Sequence, residues 1–271
     1  MRNDIFLHLY SLMVKLTTMK LSIITATYNS AAHIAPCITS VNEQTYSHLE
    51  HIIVDGASSD NTLEIIKAVS KREIRIVSEP DRGIYDALNK GIQRATGDVI
   101  GFLHADDTFA CPNTLTEIAK AFSSQPNGNI LSGVYGNLVF TSQDNPGKII
   151  RKWQSRPFRP SRINLGWMPP HPTLFLRKEI YQQIGLFKTD YRIAGDYELM
   201  LRLMKHPETN LCWLNQTITR MTMGGASTGN LKNLKKKSQE DLRALRSNGF
   251  EFPYLVLACK IVRKLPQLLK R

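Results

Sequence analysis

Apolar residues in the first half of this chain fall into short β-branched runs separated by stretches of helical spacing. The runs Leu21–Thr27, Glu50–Asp55, Ile74–Ser78 and Val99–Leu103 predict strands. Between them, helices are predicted to about Gln44, over Thr62–Ser70 behind an Asp60 cap, and over Ile84–Ala95. A further helix is expected from Pro112 to Phe122. Strand and helix alternating at such short intervals predict an α/β fold, a mostly parallel sheet covered by helices on both faces.

The second half is less regular. Ile130–Phe140 and Lys148–Trp153 read as strands around a polar turn, and Leu211–Leu214 and Thr217–Met223 as two closing strands. Residues 154–172 hold five prolines with Arg156, Arg159 and Arg162 between them, which is loop chemistry. Helices are expected at Lys178–Ile184, stopped by Gly185, and at Asp196–His206. Near the end, apolar residues at 254, 257, 258, 261, 265, 268 and 269 oppose Lys260, Arg263, Lys264, Gln267 and Lys270, predicting an amphipathic helix with a basic outer face.

Charge sharpens that last expectation. The net charge is +12, and residues 230–271 carry eleven Lys/Arg against three acidic side chains. A basic tail on a body of low net charge points to an anionic membrane surface or another acidic partner, and away from nucleic acid, which calls for a basic face on the folded body. No apolar run is long enough to span a membrane. Cys37, Cys111, Cys212 and Cys259 are scattered without a CxxC pair, so they read as thiols of a reducing cytoplasm. Residues 1–18 read as an extension ahead of a start at Met19, without a signal-peptide cleavage site. The expected organisation is this extension, a domain over 19–228 and a helical tail over 229–271.

Three polar clusters fall at predicted strand ends: Thr27-Tyr28-Asn29, Asp55-Gly56-Ala57-Ser58-Ser59-Asp60 and His104-Ala105-Asp106-Asp107. Ligands of open α/β sheets bind there. No glycine-rich turn follows the first strand and no GKS/GKT loop occurs, which excludes a dinucleotide fold and a P-loop site. Adjacent carboxylates repel, so Asp106-Asp107 calls for a hard cation such as Mg²⁺ or Mn²⁺, shared with substrate phosphate, unless Asp107 simply caps the next helix.

These clusters lie within Ser-Ile-Ile-Thr-Ala-Thr-Tyr-Asn at 22–29, Ile-Val-Asp-Gly-Ala-Ser-Ser-Asp-Asn-Thr at 53–62 and Gly-Asp-Val-Ile-Gly-Phe-Leu-His-Ala-Asp-Asp at 97–107. With Ser-Glu-Pro-Asp-Arg-Gly-Ile-Tyr-Asp-Ala-Leu-Asn-Lys-Gly at 78–91 and Ala-Gly-Asp-Tyr-Glu-Leu-Met-Leu-Arg at 194–202, they make five ordered motifs. Over Met19 to Gly225 the chain resembles the family 2 inverting glycosyltransferases of the GT-A fold, of the type that builds bacterial surface polysaccharides. The resemblance implies that Thr27, Tyr28 and Asn29 form a platform for the base of a nucleotide-sugar, a UDP-sugar by expectation. It implies that Asp55 reads the base, that Asp81 and Arg82 touch the donor, and that Asp106 and Asp107 hold the metal against the diphosphate. Asp196 matches the general base, with His171, Trp167 and Glu198 on the acceptor side. The acceptor is then a glycan or lipid-linked hydroxyl. The chain departs from many relatives at His104, where they have Asp, and offers no histidine in 221–225. A non-catalytic scaffold or glycan-binding protein on the same fold is the rival; a nucleotidyltransferase would need a triphosphate loop that 27–30 is not.

Overall fold

A computed structural model describes residues 19–124, 130–223 and 231–264; the expectations for residues 1–18 and for the chain beyond Lys264 lie outside them. Four strands, β1 (Leu21–Thr27), β2 (Leu49–Asp55), β3 (Ile74–Ser78) and β4 (Val99–Phe102), pair in parallel in the order β3-β2-β1-β4. The register sets Leu21 beside Leu49 and Thr27 beside Asp55, so all the strands deliver their carboxyl ends to one edge. Between them run α1 (Ile34–Asn42), α2 (Thr62–Val69) and α3 (Ile84–Arg94). The two-residue period of the strands separates the core into two layers. Ile24, Ile52 and Val54 face one side with Tyr85 and Leu88 of α3, while Ile23 and Ile53 face the other with Ile38 of α1 and Ile66 of α2.

Beyond β4 the sheet turns mixed. Strands β5 (Asp107–Phe109), β6 (Gly133–Thr141), β7 (Ile149–Trp153), β8 (Phe175–Arg177) and β9 (Leu211–Thr222) extend it as β4-β8-β6-β9-β5, with β7 hairpinned onto β6. Helix α4 (Thr114–Ser123) follows β5, α5 (Lys178–Ile184) follows β8, and α6 (Gly195–Lys205) precedes β9. Two features differ from expectation. The closing strands are one strand, β9, whose pairing with β6 slips between Tyr135 and Leu138; this irregularity absorbs the polar Asn215-Gln216 that breaks the sequence pattern. Strands β5 and β8 are three residues long, too short to show a period.

The tail folds back. Helices α7 (Leu231–Ser247) and α8 (Pro253–Val262) pack on the domain, with Ala244, Leu245 and Val256 inside the core that also holds Leu199 and Leu203 of α6. The orientation of α8 is opposite to that expected. Lys260 points inward, its Nζ 2.8 Å from Asp241 and 3.2 Å from the centre of the Tyr197 ring, while Tyr254, Leu255, Ile261 and Val262 are exposed. The acid that turns the lysine inward stands on another helix, which the period of α8 alone cannot reveal.

Candidate active site

A polar shelf, where the donor was expected, is built at the ends of β1, β2 and β3. Asn29 and Ala57 adopt left-handed backbone (φ 47° and 62°), and the two loops interlock: Asn29 N–H donates to Ser58 Oγ (2.8 Å), and Ser59 N–H donates to Asn29 Oδ1 (2.9 Å). Asp55 is fully buried and accepts from Ser58 N–H (3.0 Å), Ser58 Oγ (2.5 Å) and Ser78 Oγ (2.6 Å). Its carboxylate therefore ties β2, its loop and β3 together beneath the shelf. Tyr28 stands 62 % exposed, an aromatic face open for stacking, beside Gly56. A Cβ at Gly56 would come within 2.6 Å of Asp81 Oδ2 and 3.3 Å of Tyr28 Cδ2, so only glycine lets these two side chains approach. Asp81 Oδ1 accepts from Gly83 N–H (2.8 Å) and Arg82 reaches into solvent beside Asp86 (3.3 Å). Thr27 is buried, its Oγ1 without a hydrogen-bond partner among the described residues.

At the end of β4 the two neighbouring aspartates part company. Asp106 is half-buried, and its carbonyl accepts from Thr222 Oγ1 of β9 (2.8 Å). Asp107, the first residue of β5, is 1 % exposed, and neither carboxylate oxygen has a hydrogen-bond partner among the described residues. Burial, then the charge of Asp106, raises its pKa well above the usual carboxylate range. The donor set for a divalent cation is thus one accessible carboxylate, Asp106, with Asp107 behind it. No three His, Cys, Asp or Glu side chains converge as a metal cage among the described residues. A hard cation fits such a site when diphosphate and water supply its remaining oxygens.

Asp196 lies in the first turn of α6, half-buried, with Oδ1 accepting from Tyr197 N–H (2.7 Å). Its charge acts on His104 and His171, and that of Asp106 acts on His104. Burial lowers the pKa of both histidines against the pull of these carboxylates, His171 to about 4. Neutral His171 stacks on Phe102 (5.5 Å between centroids) beneath the acceptor side.

Two expectations for the acceptor side are corrected. Trp167 is buried edge-on against Tyr135 and offers no open face to a sugar. Glu198 is fully buried, clamped by Lys188 (2.7 Å) and by Arg202 (2.8 Å), which also donates to the carbonyls of Ile184, Gly185 and Leu186. Burial alone would raise its pKa, but the bonds from Arg202 and Lys188 hold it below the ordinary value. Its motif position next to Asp196 does not place it on the surface, because two residues along a helix reverse the side a residue faces.

Sequence reasoning missed the brace behind Asp196. Glu240 of α7 accepts backbone N–H bonds from Arg192 (3.1 Å), Ile193 (2.8 Å) and Ala194 (2.9 Å), the residues that lead into α6. Tyr85 of α3 completes it, donating to the Ile193 carbonyl (2.8 Å), while a Cβ at Gly195 would meet its ring at 2.7 Å. The only signal for Glu240 was an acid within a basic helix.

Residues 22–185 match the profile of Glycosyl transferase family 2. A PGL/p-HBAD biosynthesis glycosyltransferase of Mycobacterium bovis is 31 % identical over 189 residues, 69 % of this chain and 70 % of that protein. An uncharacterized glycosyltransferase of Mycobacterium tuberculosis is 31 % identical over 197 residues, 71 % of this chain and 72 % of its own length. Among solved structures, S. aureus TarS 1-349 in complex with UDP-GlcNAc superposes with a TM-score of 0.61 at 18 % identity, covering 92 % of this chain and 73 % of that one. The Pyrobaculum calidifontis mannosyltransferase PcManGT in complex with GDP-Man and Mn²⁺ gives 0.60 at 16 %, covering 97 % and 81 %. The fold is that of the GT-A glycosyltransferases. The chain belongs to glycosyltransferase family 2, and it is a glycosyltransferase.

Proposed function

We propose that the protein transfers a sugar from a UDP-sugar to a hydroxyl of a glycan or lipid-linked acceptor with inversion, using Asp196 as general base. The observation that carries this is that Tyr28, Asp55 and Asp106 stand at or just beyond the carboxyl ends of the parallel strands β1, β2 and β4, on one edge of the sheet, in a chain of glycosyltransferase family 2. Tyr28 stacks on the base above the frame held by Asp55, with Thr27 and Asn29 shaping the loop and Asp81 and Arg82 beside the donor. TarS with UDP-GlcNAc and PcManGT with GDP-Man and Mn²⁺ support a nucleotide-sugar and a divalent cation here. Asp106 would hold Mg²⁺ or Mn²⁺, with Asp107 behind it, and the cation supplies positive charge against the departing nucleoside diphosphate.

Asp196 accepts the proton of the acceptor hydroxyl as that oxygen attacks the anomeric carbon opposite the diphosphate. Its aim is fixed by the helix start on which it stands. His171, neutral near pH 7 and buried against Phe102, supports the acceptor side from beneath and adds no charge that would pair with the base. The protein works on the inner face of the cytoplasmic membrane, in surface-polysaccharide assembly, held there by its C-terminal region. Among the described residues no helix is long and apolar enough to cross a membrane.

Nucleoside-diphosphate release from a panel of nucleotide-sugars, with Mn²⁺, Mg²⁺ or EDTA, tests the reading alongside calorimetric binding of UDP. Asp196→Asn is expected to lower turnover by about 10²–10⁴-fold while leaving UDP binding intact. Failure of every nucleoside diphosphate to bind with either metal would remove it.

A further inference from the structure

The exposed face of α8 is the wrong way round for a helix in water. Tyr254, Leu255, Ala258, Ile261 and Val262 follow the i, i+1, i+4, i+7, i+8 spacing of a single helical stripe, and all five are exposed. Four of them are large apolar side chains, 65 %, 61 %, 53 % and 60 % exposed in that order. The cation that would ordinarily face solvent, Lys260, is turned inward and paired.

The stripe does not stand alone. Arg263, at the end of α8, donates from Nε to the Leu165 carbonyl (2.7 Å), which joins the helix to the 3-10 turn Pro160–Leu165, and Leu165 is itself exposed. On that turn and just before it lie Arg156, Arg159 and Arg162, and Arg162 lies within electrostatic reach of Arg156, Arg159 and Arg263. Among the described residues no carboxylate pairs with any of the four. Beyond Lys264 the sequence continues as Leu-Pro-Gln-Leu-Leu-Lys-Arg, with the same mixture of apolar and basic residues.

We propose that this corner, the outer stripe of α8 together with the arginines of the 156–165 segment, is the surface on which the protein docks to an anionic lipid bilayer. This rests on the membrane-surface reading above and deepens it, because the contact is made by apolar side chains entering the interface and not by a basic helix face lying upon it. Apolar residues gain by leaving water at the headgroup boundary, and several unpaired arginines gain together from anionic headgroups.

The test is flotation of the full-length protein with phosphatidylcholine vesicles, with and without phosphatidylglycerol. Two variants accompany it, Leu255→Ser/Ile261→Ser for the stripe and Arg156→Gln/Arg159→Gln for the corner. All four side chains are exposed, and circular dichroism with nucleotide-sugar hydrolysis verifies that fold and site are intact. Wild type is expected to float only with the anionic vesicles, and each variant to lose about tenfold or more of that binding. If wild type stays in solution with both vesicles, the membrane reading and this surface fall together. If wild type floats and the stripe variant floats equally, the membrane reading stands and this surface is wrong. A concentration-dependent dimer that the stripe variant abolishes, without flotation, makes the face a contact between copies and overturns the proposal.

Discussion

His51 has almost no exposed surface, and its Nε2 lies 3.0 Å from Thr25 Oγ1 on the neighbouring strand. Burial lowers its pKa from 6.5 to about 4, and His171 behaves alike. Between those two values the unfolded chain binds protons that the folded chain refuses. Stability therefore rises with pH through that window and is lost as pH falls from about 6.5 towards 4. Denaturant unfolding at pH 4.5 is expected to give a lower stability than at pH 7, by about 2–3 kcal/mol per histidine. In His51→Gln, whose side chain does not titrate, part of that difference disappears. Equal pH dependence in variant and wild type would show that His51 titrates normally. Single residues also mark the limit of sequence reading. The places of Asp196, Tyr28 and Asp81 in the fold were legible because each stands near the end of a strand or the start of a helix that its own neighbours define. The i, i+4 pair of Glu198 with Arg202 follows from helical spacing, but the burial of Glu198 and Trp167 does not, because Lys188 and Tyr135 belong to other segments.

Among the elements, α7 has the largest effect on chemistry for the smallest trace in sequence. Its Glu240 gathers three backbone N–H groups of residues 192–194, and this loop sets the angle at which α6 presents Asp196. Removing the carboxylate leaves buried donors unpaired. Glu240→Ala is expected to lower kcat about 10–100-fold with little change in the KM for donor, because a small displacement of a reacting group is costly. It should also cost about 1–3 kcal/mol of stability. Glu240→Gln keeps an acceptor oxygen and should recover part of the rate. A loss shared equally between kcat and the donor KM would mean that α7 acts on the whole fold and not on the base. The parallel strands were readable within a residue or two because each carries its own period and its own turn. The single long β9 was not, since its irregular pairing with β6 occurs where the pattern lapses.

On the scale of the whole molecule, one buried ion pair fastens the C-terminal helices to the domain. Lys260 meets Asp241 and the Tyr197 ring, and burial lowers the pKa of the lysine to about 8 despite its partner. Lys260→Met leaves Asp241 buried and uncompensated, and is expected to destabilise the protein by about 3–5 kcal/mol. Adding Asp241→Leu should restore most of this, since a matched apolar pair removes both desolvation penalties. If the double variant is no better than the single one, the pair contributes through geometry that an apolar contact does not reproduce.

The order of elements along the chain has a consequence for where such a molecule can be cut. The segment that matches the family profile ends at residue 185, after eight of the nine strands, so that only β9 of the sheet lies beyond it. Asp196 and its Glu240 brace both come later in the chain. A cut near residue 185 leaves α6 and α7 on one piece, whereas a cut between residues 196 and 240 parts Asp196 from the carboxylate that holds its loop. Chimeras of related chains joined near residue 185 are therefore expected to give more folded protein than chimeras joined between 196 and 240, which soluble yield and circular dichroism would check.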